Sequence, residues 1–477
     1  MHKKIDDGFD ELVSDLQHTL TYQTEASGYD PKAEHPFGEH MSEALNAFLD
    51  MARGHGFITR NIDNMVAYID TSDDRSLPLY GLMCHLDVVP AGDRAKWIHP
   101  PYGGVAENGR IYGRGSLDDK GPAVVALYAM KAVRDSKNLR CRFRLIVGLD
   151  EETGAFRCMK RYLKTEEIPL YSFSPDGAFP LINAEKGILR LTIEKHFDET
   201  ESKSDRTIER ISGGVRTNII PDAASAILKG EFSHHAAEGI EFEGDRIVAK
   251  GKAAHVKYPD KGDNAILKLL AYIASLDIDT PLGRYVRDLH TLFPGEYDGK
   301  SLQIAAEDGI SGSLFCSLSI IGADEKQCVL KIDIRHPVTV KGDGIVGKLK
   351  TVFGVFGATV RVDSRNEPLY MPETDPFVRL LLDSYASVTG DEGKPLYTAG
   401  GTYCRDMPNS VSFGIVFPGE EPVAHMANEY VNVNSLRKAA HIYAEALDRL
   451  DGGAGKSDAF AVLHTAGLVS GIFPVVE

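Results

Sequence analysis

The 477-residue sequence predicts an α/β protein, with a mostly parallel central sheet flanked by helices and an inserted α+β domain carrying an antiparallel sheet. Three observations predict it. Short continuous apolar runs (MVAYI, LYGLMCHLDVV, FRLIVGL and VSFGIVF) read as strands buried on both faces. Helical stretches such as GPAVVALYAMKAVRD lie between them. From 186 to 374 the texture changes to alternating strands (GILRLTIEK, SAILKGEF, CVLKIDIR) with a helix at NAILKLLAYIASL, as expected for a sheet with one solvated face. The expected boundaries are therefore 1–185 and 375–477 for the main domain and 186–374 for the insertion.

In chain order, two amphipathic helices come first, around Phe9, Leu12, Val13 and Leu16 and around Ala44, Leu45, Phe48 and Leu49. The buried runs follow. After the insertion the pattern resumes with the helix FVRLLLDSYASV, the strand VSFGIVF and a closing helix near 435–450. The tail after residue 450 opens on a Gly-rich break and carries no assignable chemistry.

A length of 477 residues exceeds what one hydrophobic core serves, and 43% apolar with 26% charged residues is ordinary globular composition. The net charge of −16 argues against nucleic acid as a partner. The six cysteines (Cys84, Cys141, Cys158, Cys316, Cys328, Cys404) form no C-x-x-C pair and read as reduced thiols. With no signal-peptide pattern and no apolar run of membrane-spanning length, the expectation is a cytoplasmic protein that does not engage a membrane.

Five places carry chemistry. His85 and Asp87 end a strand on the same side, the pattern of a metal-ligating imidazole with a carboxylate to orient it, although an isolated H-x-D is more often only hydrogen-bonded. GRGSLDDKGP sets Asp118 and Asp119 between a Gly-rich turn and a helix; one of them can serve as an N-cap, which leaves the other seeking a cation or solvent. Asp150, Glu151 and Glu152 follow FRLIVGL directly, as a solvated acidic loop or a set of carboxylates facing a cation. Asp176 sits in a Pro/Gly turn, where aspartate is common in any case. His425 follows VSFGIVF. What decides is the joint pattern: all five fall at the carboxyl ends of predicted strands, where open α/β sheets collect ligands. Histidines and carboxylates without a thiolate suit zinc, manganese or cobalt, in sufficient number for two ions sharing a carboxylate.

CHLDVVP, GRGSLDDKGP, DEETG and SPDGAFP, in this order, resemble the aminoacylase and carboxypeptidase family of dinuclear metallopeptidases. The early PFG segment, the long insertion and GGTY at 400–403 are most similar to PepV-type bacterial dipeptidases, relatives of carnosinase. The resemblance implies two divalent ions, zinc foremost, with Asp118 bridging them, His85 and Asp176 completing one site, and Glu152 and His425 the other. It implies a cis peptide between Asp118 and Asp119, Glu151 as general base and Asp87 as the orienter of His85. The insertion would then be a lid, with His255 supplying an oxyanion donor, Asn218 and Arg335 holding the substrate, and the backbone of Gly400, Gly401 and Thr402 approaching it. The function implied is hydrolysis of dipeptides through a metal-bridging water activated by Glu151, by a monomer. The alternatives are an N-acyl amino acid deacylase of the same family and a noncatalytic metal-binding protein; the latter has no use for a base at Glu151.

Overall fold

A computed structural model describes residues 1–26, 28–198 and 205–453. The expected tail lies mostly beyond them. The chain divides into two compact units. The first comprises Met1–Asn183, Met371–Leu396 and the chain from Gly401 on; the second comprises Ala184–Tyr370 and Tyr397–Gly400. Residues 397–400, which the sequence reading left with the main domain, join the second unit through backbone pairing. The Lys186 N–H donates to the Thr398 carbonyl at 2.9 Å, and Arg335 donates to that of Ala399 at 2.8 Å.

In the first unit the sheet runs Ile58–Ile62, Val66–Asp70, Arg142–Gly148, Leu79–His85, Ser172–Ser174 and Ser410–Ser412. The four strands from Arg142–Gly148 onward pair in parallel, and the two before them pair antiparallel. Strands Leu79–His85 and Arg142–Gly148 are buried along their whole length, the burial that their unbroken apolar runs anticipate. Helix Lys120–Arg134 packs its Ala- and Val-rich sequence with almost no exposed residue. Helix Phe9–Leu20 buries Leu12, Leu16 and Leu20, one above the other at intervals of four, each stabilising the fold by about 1.5–3 kcal/mol.

The run VSFGIVF is a strand only at its start. The ladder stops at Ser412 because Gly414 takes φ +90, outside the extended region, where a Cβ would come within 2.4 Å of the Tyr443 hydroxyl. A separate three-stranded sheet joins Val105–Glu107, Arg110–Tyr112 and Tyr430–Asn432. Its first hairpin turns on Asn108 and Gly109, both at positive φ, as a two-residue Asn-Gly turn demands.

The second unit carries an eight-stranded sheet whose pairs are all antiparallel. Helices Ala265–Ser275 and Pro281–Leu292 are capped by their own sequence. Asn264 accepts the Ile266 N–H at 2.9 Å, and Thr280, followed by Pro281, accepts that of Gly283 at 3.0 Å. Among the described residues, no helix is long and apolar enough to cross a membrane.

Candidate metal centre

Parallel pairing places the motif residues side by side. His85 is the last residue of its strand and lies in register with Gly148, so Asp150, Glu151 and Glu152 emerge at the same sheet edge. Ser172–Ser174 pairs with the His85 strand and delivers Asp176 two residues later. Gly148 is required here because Tyr403 of GGTY lies against this edge: a Cβ would sit 2.2 Å from its hydroxyl, which pairs with Cys158 at 2.9 Å. The Tyr403 ring stands edge-on to the His85 imidazole at 6.2 Å.

Two groups of ligand atoms result. His85, Asp118 and Asp176 offer atoms within 4.8 Å of one another, and so do Asp118, Glu152 and His425. Asp118 belongs to both, with Oδ1 3.0 Å from His85 Nε2 and Oδ2 3.0 Å from His425 Nε2. Asp176 is 3.8 Å from His85 Nε2, and Glu152 is 3.1 Å from His425 Nε2. The Asp118–Asp119 peptide is cis.

His85 is held by the backbone of Asp87 more closely than by its side chain. Its Nδ1 lies 2.8 Å from the Asp87 carbonyl, which can only accept, so Nδ1 carries a proton and Nε2 is the nitrogen left facing Asp118 and Asp176. The Asp87 carboxylate is 3.5 Å from Nδ1 and accepts instead from the Glu152 N–H at 2.9 Å. Asp119 precedes helix Lys120–Arg134 without capping it; its carboxylate takes the His85 N–H at 3.0 Å.

The electrostatics favour cations. Burial pushes the Glu151 carboxyl well above its usual range, and Asp176, Glu152 and Asp118 add to the effect against His85. Burial and Asp118 push Asp176 up to about 7. Burial would also raise Asp118, but His425 and His85 hold it well below the carboxylate range. His425 is pushed up to about 11 by Asp118 and Glu152, against burial. Buried His85 Nε2 has no well-directed hydrogen-bond partner. Carboxylates crowded around a buried imidazole nitrogen fit a pair of divalent cations, and the all-N/O donor set fits zinc, manganese or cobalt.

The remaining predicted residues belong to neither ligand group. Asn218 and His255 share a two-stranded ribbon of the second unit, where Ile219 pairs with His255 and the Asn218 carbonyl accepts the Val256 N–H at 3.0 Å. His255 Nδ1 accepts the Lys257 N–H at 3.1 Å, which puts the ring proton on Nε2. Arg335 is buried in the same unit, its guanidinium on both Asp333 oxygens at 2.6 and 3.1 Å and on the Ala399 carbonyl at 2.8 Å. Three of its five donors are thus engaged. The Gly400 N–H donates to Thr398 Oγ1 at 3.0 Å, and Thr402 Oγ1 accepts the Cys404 N–H at 3.2 Å. At Gly401 a Cβ would come within 2.3 Å of Arg405 Nε.

Sequence reasoning missed Asp119 as a support for His85, and it missed Glu429. The latter is fully buried and accepts backbone N–H groups from the turn that carries Asp118. Its one sequence signal is proximity to His425, four residues earlier.

Residues 81–449 match peptidase family M20/M25/M40, and the chain belongs to that family. It is 31% identical, over 92% of its own length and 97% of the relative's, to the Bacillus subtilis (strain 168) protein named "Putative dipeptidase YtjP". Among solved structures it shares the fold of human carnosine dipeptidase 1, with TM-score 0.59 at 13% identity, covering 94% of this chain and 98% of the other. It also shares the fold of Bacillus subtilis YXEP, titled a dinuclear metal-binding peptidase of the M20 family, with TM-score 0.51 at 10% identity, covering 92% and 99%. The protein is a hydrolase of this peptidase family.

Proposed function

We propose that the protein is a dinuclear metal-dependent dipeptidase. The observation that carries the reading is Asp118, one oxygen turned to His85 and the other to His425, with Glu151 buried beside them. His85, Asp118 and Asp176 would hold one ion, and Asp118, Glu152 and His425 the other, zinc first and manganese or cobalt as alternatives. Bound there, the ions would polarise the peptide carbonyl and acidify water. Glu151 takes a proton from the attacking water and returns it to the leaving amine. Its carboxyl is buried directly after the strand that ends at Gly148, next to the ligand Glu152. His85 keeps its Nε2 lone pair directed inward because Asp87 fixes its proton on Nδ1.

On the substrate side, the reading gives His255 the role of oxyanion donor, which its Nε2 proton suits. Asn218 and the two uncommitted donors of Arg335 would hold the substrate, with Gly400, Gly401 and Thr402 offering backbone. All six cysteines are buried and free, which supports a reducing, cytoplasmic setting, and the large insertion supports a monomer.

The test is a panel of dipeptides, longer peptides and N-acyl amino acids, assayed after chelation and after readdition of each metal. Metal-restored turnover confined to dipeptides is expected. Preference for N-acyl amino acids would replace the reading with a deacylase, and metal-independent turnover would remove the centre from the mechanism.

A further inference from the structure

We infer that Glu429 is a positioning residue that sets the separation between Asp118 and His425, an assignment that rests on the two-ion reading above. The turn before Asp118 has an unusual hydrogen-bonding pattern. The Ser116 N–H goes to the Gly113 carbonyl at 3.0 Å, but those of Gly115, Leu117 and Asp118 converge on a single oxygen, Glu429 Oε1, at 3.0, 3.0 and 3.3 Å. The other oxygen, Oε2, is taken by Arg114, forming an ion pair with both side chains buried. Arg114 in turn lies over the Trp97 ring at 5.3 Å.

Convergent backbone N–H groups form an anion-binding nest, normally filled by a ligand. Here the anion is a side chain of the chain itself. Glu429 also fixes its own strand: its carbonyl takes the Gly113 N–H at 3.0 Å, and Tyr430 begins the pairing with Tyr112. The same end of the loop is tied by the preceding residue, Asn428, which accepts the Ile98 N–H at 2.6 Å and donates to the Lys96 carbonyl at 2.9 Å. His425 stands four residues before Glu429 at φ +66, in the left-handed region.

One carboxylate therefore clamps the backbone of the shared ligand Asp118 onto the loop that presents His425. The function of this clamp is geometric. Because Asp118 serves both ligand groups, loosening it weakens both ions together, whereas loss of a ligand to one ion alone would chiefly weaken that ion.

The test is Glu429→Gln, with metal binding followed by titration of zinc or manganese into chelated protein and backbone hydrogen exchange followed over residues 113–118. The variant is expected to bind both ions about 10–100-fold more weakly, the range seen for groups that support metal ligands. Amide exchange at 115, 117 and 118 should accelerate in the metal-free protein. Asp70→Asn, which breaks the buried ion pair of Asp70 with Arg144 at the far end of the sheet, controls for lost stability and should leave both affinities unchanged. Wild-type affinity for both ions in Glu429→Gln, or an equal loss in Asp70→Asn, would overturn the assignment.

If Glu429→Gln does not fold, the wild-type amides still decide: fast exchange at 115, 117 and 118 in the metal-free chain rules the clamp out, and protection supports it. A wild-type chain that takes up no pair of ions would instead overturn the two-ion reading, and the exchange data would still judge the clamp.

Discussion

The Glu152 N–H donates to Asp87 Oδ2 across 2.9 Å, so the residue whose carbonyl orients His85 also fixes the backbone of a ligand in the other group. Asp87→Ala removes that acceptor. Affinity for the ion held by the Glu152 group should fall by about 10–100-fold, read by competition with a chelator, and that of the His85 group should change less, because the Asp87 carbonyl on His85 Nδ1 survives the substitution. Unchanged binding of the second ion would show that Glu152 does not depend on this bond.

Glu151→Gln keeps the shape of the side chain and removes the base. The expected result is a fall in kcat of about 100- to 10,000-fold with two ions still bound. Turnover at the wild-type rate would move the proton-transfer role elsewhere.

Ions that bind only the folded chain stabilise it. At 100 times its dissociation constant one ion contributes about 2.7 kcal/mol, which shifts the melting temperature of a unit this size by about 5–10 °C. Scanning calorimetry of chelated protein with zinc, manganese or cobalt added back should show that rise. A melting curve indifferent to all three would count against the centre.

Arg335→Ala leaves Asp333 buried with only Arg190, at 3.2 Å, as a cationic neighbour, and should cost about 3–5 kcal/mol of stability. Adding Asp333→Asn should recover part of that loss. If the guanidinium also binds the substrate carboxylate, both variants lose the preference for a free dipeptide over its C-terminal amide. A preserved preference would leave Arg335 with the purely structural role of holding Ala399.

Asp451 offers a test remote from the centre. Burial acts to raise its pKa, but Lys137 at 2.8 Å and the Arg140 N–H at 2.6 Å hold it below the usual value. A carboxyl depressed in the folded state contributes stability that is complete above its unfolded pKa of about 3.9 and is lost as pH falls through the folded value. Asp451→Asn should therefore lower stability at pH 7 by about 1.5–3 kcal/mol and flatten the acid limb of the stability profile. An unchanged acid limb in denaturant titrations at pH 2 to 4 would refute the linkage.

How much of this was legible in the sequence depended on range. His85, Asp118, Glu152 and Asp176 each stand beside a local signal, an apolar strand or a Gly-rich turn, and such signals read directly as the edge of a buried sheet. The strand after the insertion was read too long because the apolar run hid the φ of Gly414, which nothing in hydrophobicity reports. Glu429 was invisible for a different reason. Its partners lie more than 300 residues earlier, and a single acidic residue carries no periodicity to announce them.

The interrupted first unit has a consequence for biosynthesis. About 250 residues separate Asp176 from His425, and the strand Ser410–Ser412 that pairs with Ser172–Ser174 also emerges late. At the usual 5–20 residues per second, the ribosome needs roughly 12–50 s to cross that gap. Throughout that interval the nascent chain presents His85 and a cluster of carboxylates without the histidine and glutamate that close the centre. On the two-ion reading, metal loading in its final geometry would be deferred until residues 425–429 have been made, and a product truncated before them would carry an acidic half-site but no competent pair.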